Sequence, residues 1–110
     1  MKLTNYKSAI ILPLKETYSN FDFGAVSIWV KDYLNYIKNS NDIVFCRKLS
    51  VKNDYLTKNV KPISISEKFF TNSNYIKKIY NEIAKLDLDS IEVHNRPEYA
   101  LYLLKKRPDL

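Results

Sequence analysis

His94, Asn95, Arg96 and Glu98 bring an imidazole, an amide, a guanidinium and a carboxylate together, interrupted only by Pro97. The single imidazole of the chain could carry a proton or donate a hydrogen bond, and the guanidinium could pair with phosphate or carboxylate through two parallel N–H groups. The same residues also read as local structure. Asn95 with Glu98 three positions on has the spacing of a capping box, Pro97 suits a first helical turn, and His94 ends a strand. The second candidate is Phe23-Gly24-Ala25, which holds the only glycine. A glycine lets backbone approach a ligand closely, and a helix opening there would present its N-terminal charge to a phosphate or diphosphate. Gly24 equally permits a plain turn.

Other chemistries are excluded or disfavoured. Asp87-Leu88-Asp89 could be taken for a metal-holding pair, but it falls between a helix and the next strand, where a turn is expected. One cysteine, Cys46, cannot make an internal disulfide, and with one histidine no Cys/His zinc site can be assembled. Cys46 lies in an apolar strand and reads as a small buried hydrophobe rather than a nucleophile. The Walker loop and the dinucleotide fingerprint each need at least two glycines, so both are absent. No metal and no cofactor are expected.

The elements that must position the candidates alternate along the chain. Lys7 to Pro13 has the near-continuous apolar character of a strand buried on both faces, as parallel strands are. Leu14 to Gly24 follows without clear period and is long for such a connection, a mark of functional loops. From Ala25 to Lys38, Val26, Trp29, Val30, Tyr33, Leu34 and Ile37 form a helical stripe, with Ser27, Lys31, Asn35 and Lys38 opposite. Asn39-Ser40-Asn41-Asp42 breaks that helix and Ile43 to Cys46 gives a second strand. Arg47 to Asn59 is ambiguous. Val60 to Ile65 reads as a third strand, held to an edge or a strand start by Pro62. Ser73 is the expected N-cap of a second helix with Ile76, Ile79, Tyr80, Ile83 and Leu86 as its stripe. Ser90 to His94 then forms a fourth strand, with Ile91 and Val93 on one face and Glu92 and His94 on the other. A third helix opens at Asn95, carries Lys105, Lys106 and Arg107 at its negative end, and stops at Pro108.

This order is the signature of an α/β fold, an open parallel sheet with crossover helices on both faces, Rossmann-like in plan. In such sheets ligands bind outside the carboxyl ends of the strands, and both candidate segments land on that edge. The rhythm calls for another strand after the third helix, so residues 1–110 are expected to be a single, incomplete domain of a longer unit. With 110 residues and 45% apolar composition, one domain is the ceiling. No apolar run approaches the ~20 residues that span a bilayer, and no secretion signal opens the chain, so a cytoplasmic protein is expected. The net charge of +6 and pI near 9.3 would suit an anionic partner, although most of it reads as solvated surface. No basic stripe with interleaved aromatics is present, and nucleic acid is not expected as a partner.

Two runs, FGAVSIWVKDYLNYI (23–37) and IEVHNRPEYALYLLKKRPDL (91–110), resemble the N-terminal domain of family 4 glycosyltransferases, metal-independent enzymes of two Rossmann domains (GT-B fold) with a cleft between them. The likeness is to bacterial enzymes of lipopolysaccharide or capsular polysaccharide synthesis, and His-Asn-Arg-Pro after a strand is its stronger part. With the opening strand the runs cover nearly half of the chain. The resemblance implies transfer of a sugar from a nucleotide-diphosphate donor to a saccharide or lipid-linked acceptor. Gly24 and Ala25 would lie near the donor diphosphate, His94 would be the catalytic residue, and His94, Asn95 and Arg96 would line the acceptor side. It implies as well a C-terminal domain beyond Leu110, without which residues 1–110 should not catalyse transfer, and peripheral contact with anionic lipid at the inner membrane face. Phe23 replaces the first of two glycines that many members carry, and the family's further histidine is absent. A non-enzymatic α/β module recognising phosphate or nucleotide is the alternative reading.

Overall fold

A run of apolar residues too dense for one-sided burial belongs in the middle of a sheet, and there the computed structural model places it. The structure describes residues 4–19, 24–37, 41–48 and 55–106. Its elements are β1 (Thr4–Ile11), α1 (Ala25–Tyr36), β2 (Asp42–Arg47), β3 (Val60–Ile63), a short 3₁₀ turn (Glu67–Phe69), α2 (Asn72–Ile83), β4 (Leu86–Val93) and α3 (Pro97–Lys106). The four strands form one sheet in the order β3-β2-β1-β4, and every pairing is parallel. β1 is central: Ile11 is in register with Phe45 on one side and Val93 on the other. Ala9, Ile10 and Ile11 are all buried, as the sequence requires of a strand covered on both faces.

The alternation of side chains sorts the core into two layers. Ala9, Ile11, Ile43 and Phe45 meet Ile76, Ile79 and Ile83 of α2 and Tyr99 and Leu103 of α3. Ile10, Leu12, Val44 and Cys46 meet Val30 of α1, with Val26 and Leu34 at the margin. Helices therefore cover both faces, α1 one and α2 with α3 the other. The fold is α/β with an open all-parallel sheet, compatible with an incomplete Rossmann-like domain. No helix among the described residues is long and apolar enough to cross a membrane.

Two buried tyrosines close the carboxyl end of this sheet on the α2/α3 side. Tyr75 of α2 donates its hydroxyl to the Leu12 carbonyl at 2.7 Å. Tyr99 of α3 donates to Asn72 Oδ1 at 2.5 Å and accepts from the Leu14 backbone N–H at 3.3 Å. Burial pushes the Tyr75 phenol well above its ordinary value, so the hydroxyl remains a donor throughout the neutral range.

Several boundaries differ from the sequence reading, each for a visible reason. α2 starts at Asn72, capped by Thr71, whose Oγ1 accepts from the Asn74 N–H at 3.2 Å; Ser73 is inside the helix. Leu86 belongs to β4, not to the α2 stripe, and Asp87-Leu88-Asp89 is strand rather than turn. β4 is an edge of this sheet, so the aspartates alternate outward to solvent while Leu88 points to the core. β3 ends at Ile63 and is the other edge, where Pro62, which has no N–H for a ladder, is tolerated because the outer side has no strand to pair with. Leu14, Thr17, Tyr18 and Ser19 are buried, with Tyr18 bonded through its hydroxyl to Thr57 and its carbonyl accepting from Leu56. The described part of the long connection after β1 is thus packed framework. Phe23, the Asn39-Ser40 part of the expected turn, the middle of the ambiguous stretch (49–54) and the helix stop at Pro108 lie outside the described residues.

Candidate functional site

The carboxyl ends of β1 and β4 lie side by side, and the chain leaves them in opposite directions. From β1 it travels to α1 on one face; from β4 it turns into α3 on the other. A divergence of this kind opens a crevice at the rim of a parallel sheet, the usual seat of a ligand in open α/β folds.

His94 stands at that rim. Its backbone N–H donates to the Ile11 carbonyl at 3.1 Å, carrying the β1–β4 ladder one residue past the strand. Strand alternation sends Ile91 and Val93 into the α2/α3 core and leaves Glu92 and His94 together on the α1 side. There His94 Nε2 lies 2.8 Å from Glu92 Oε2, with the imidazole mostly covered and the carboxylate open (side-chain exposures 18% and 43%). A proton on Nε2 held by Glu92 would leave Nδ1 as the free acceptor. The imidazole also meets the indole of Trp29 at 5.4 Å between centroids, tilted by 55°. Trp29 stacks in turn on Tyr33, one helical turn on, at 5.4 Å and 6°.

Gly24 reaches the same rim from the other side, as the residue before α1, its carbonyl accepting from the Ile28 N–H at 3.2 Å. Its φ of −106° and ψ of −177° are ordinary extended backbone. What glycine provides is space: a β-carbon here would displace the Glu16 carboxyl, the far end of a flexible side chain, whose Cδ would lie 2.6 Å away. That carboxylate accepts from the Ser27 N–H at 3.3 Å and lies 2.8 Å from Ser27 Oγ, which is also 2.7 Å from the Thr17 carbonyl. The first turn of α1 contains no acidic residue of its own, and Glu16 supplies the anion from eleven positions upstream. Ser27, expected on the solvated side, is consequently buried. The anion seat that the sequence reading offered to a phosphate at Gly24 and Ala25 therefore holds a side chain of the protein itself. Ala25, the first residue of α1, is exposed.

The remaining candidates follow His94 out of the sheet. Asn95 is exposed and adopts φ 57°, the left-handed region that asparagine tolerates better than most residues. It is a turn residue, not the opening of a helix. Arg96 precedes Pro97, which bars helical backbone before it and itself begins α3. Arg96 Nη1 bonds Glu98 Oε1 at 3.3 Å, so Glu98 partners the guanidinium instead of completing a capping box. The structure thus brings His94, Gly24 and Ala25 to one rim through α1, and adds Glu92, Glu16, Trp29 and Tyr33, which sequence reasoning did not select.

Comparison of the chain with protein-family models, with curated proteins and with solved structures finds no match. The site is therefore read from its own chemistry. Glu16, Glu92, Glu98 and Arg96, which Glu98 already engages, stand near the rim, and Lys15, Arg47 and Lys48 leave the ends of β1 and β2 on the same edge. Away from the rim, Lys61, Lys78 and Lys85, with Glu82 beside Lys85, line a hollow of about 430 Å³ between β3 and α2. Among the described residues no three His, Cys, Asp or Glu side chains converge as a metal site would require.

Proposed function

We propose that this chain is the acceptor-side domain of a glycosyltransferase that moves a sugar from a nucleotide-diphosphate donor to a saccharide or lipid-linked acceptor in cell-surface polysaccharide synthesis. The observation that carries the reading is the meeting of the Gly24–α1 segment and His94 at the point where the chain diverges from β1 and β4. In this reading the His94 imidazole, oriented by Glu92, takes the proton that the acceptor hydroxyl loses as its oxygen bonds to the donor's anomeric carbon, while the bond from that carbon to the nucleoside diphosphate breaks and the diphosphate leaves with the electron pair. Asn95 and Arg96 line the acceptor side. Ala25 and Gly24 approach the donor phosphates only when Glu16 swings away from Ser27, so most of the charge that grips the diphosphate comes from a second domain. The same carboxylate weighs against a stand-alone phosphate-binding module, because it fills the helix terminus that such a module would use.

The test is sugar transfer by the complete gene product containing residues 1–110, supplied with radiolabelled nucleotide-diphosphate sugars and a polysaccharide or lipid-linked acceptor pool. Transfer should fall by roughly two orders of magnitude in His94→Ala, the scale of a lost general base, with the fold intact by circular dichroism. Undiminished turnover in both His94→Ala and Arg96→Ala removes the reading.

A further inference from the structure

Trp29 is 52% exposed and Tyr33 38%, although both fall on the helical stripe that should face the core. Beside Trp29 the end of β4 presents His94, bonded to Glu92, instead of an aliphatic side chain, and Tyr33 stacks on Trp29. Large aromatic rings stacked on one another along a rigid helix, at the rim of the sheet, are a surface with a use. Their π faces attract the slightly positive C–H groups of a ligand ring, while the adjoining carboxylate and imidazole exchange hydrogen bonds with groups on that ring's periphery. A pyranose has this division, with C–H groups on its face and hydroxyls around its edge. A nucleobase would also stack, but a phosphate beside His94 would meet the carboxylate of Glu92.

We propose that Trp29 and Tyr33 are the stacking platform for a neutral pyranose, whose hydroxyls are held by Glu92 and His94. This deepens the transferase reading and rests on it only in calling the bound sugar the acceptor. Tyr33 and Trp29 bind and orient; neither touches the transferred proton.

The chain carries one tryptophan and one histidine, so each offers a signal free of overlap. Methyl glucopyranoside, galactopyranoside and mannopyranoside are titrated into the 110-residue chain, following Trp29 emission and the His94 ring protons by NMR, with sorbitol and uridine as controls. At least one pyranoside should give a saturable change in both signals, and sorbitol none. Tyr33→Ala should weaken binding about tenfold with unchanged circular dichroism, the effect of removing half of an aromatic platform. Trp29→Ala should abolish the His94 shifts. Saturation by uridine alone, no saturable response to any pyranoside, or unchanged affinity in Tyr33→Ala each overturns the proposal. Pyranoside binding by a gene product that transfers no sugar overturns the transferase reading and leaves the platform standing; transfer without pyranoside binding at Trp29 does the reverse.

Discussion

At position 24 a β-carbon would meet the Glu16 carboxyl, and that carboxyl holds the start of α1 through Ser27. Gly24→Ala should force the carboxylate aside and cost about 1–2 kcal/mol, the worth of its hydrogen bonds to the helix terminus. In a Glu16→Ala background the same change should cost only several tenths, the preference for glycine over alanine before a helix. Urea unfolding of the unsubstituted chain and the three variants measures the coupling, and strict additivity would show that the two residues do not meet. Cys46, fully buried in β2, has its thiol pushed up to about 12 by burial, from an ordinary 9.0. Below pH 9 the thiol is neutral folded or unfolded and adds no pH dependence. Between 9 and 12 the unfolded chain gives up a proton that the folded chain retains, so stability falls as pH rises. Tyr18, pushed from 10.0 to about 12 by burial, acts in the same direction. Chemical denaturation at stepped pH should therefore give a level profile up to about pH 9 and a decline above it. A fall beginning near neutrality would contradict this account. The burial of Cys46 was legible from its apolar neighbours. The partnership of Glu16 with Ser27 was not, since no local pattern links a loop carboxylate to a hydroxyl eleven residues away.

Among the elements, α1 and α2 were legible from periodicity because each buries a face against the sheet, and β2 from its unbroken apolar run, which is buried throughout. β4 was legible only in its second half. An edge strand with outward aspartates has the composition of a turn, and the pairing of Leu86 with Thr4 and Leu88 with Tyr6 is information held by another segment. The orientation of α1 was misjudged for a related reason. Trp29 and Tyr33 read as core by type, but whether they are covered depends on what β4 places beside them. Capping separates two similar residues cleanly: Thr71→Ala should cost about 1 kcal/mol and Ser73→Ala close to nothing, read from thermal melts. Tyr75→Phe is expected to cost about 1–3 kcal/mol, since it strips the Leu12 carbonyl of its hydroxyl donor in a buried setting. A melting temperature unchanged in Tyr75→Phe would mean that water replaces the phenol.

For the molecule as a whole, the parallel α/β class and the shared rim of Gly24 and His94 followed from element order alone, because crossover helices force parallel strands and place loops at one edge. What binds there did not follow, as chemistry resides in side chains converging from α1, β4 and the Glu16 loop. The layered core predicts graded protection: amides of β1 between Ala9 and Ile11 should exchange most slowly, and those of β3 and β4 faster. Uniform exchange across the four strands, followed by hydrogen–deuterium NMR, would contradict a core centred on β1. The two flanks of the sheet differ in kind. Ile63 gives its carbonyl to Lys48, so alternation turns the backbone of Pro62 outward, where it has no N–H to offer, and Lys61 beside it is charged and exposed. Among the described residues a further strand is therefore better received on the β4 flank. Two copies that met through backbone would exhaust their receptive borders in a single union, and self-association should stop at pairs instead of growing into fibres.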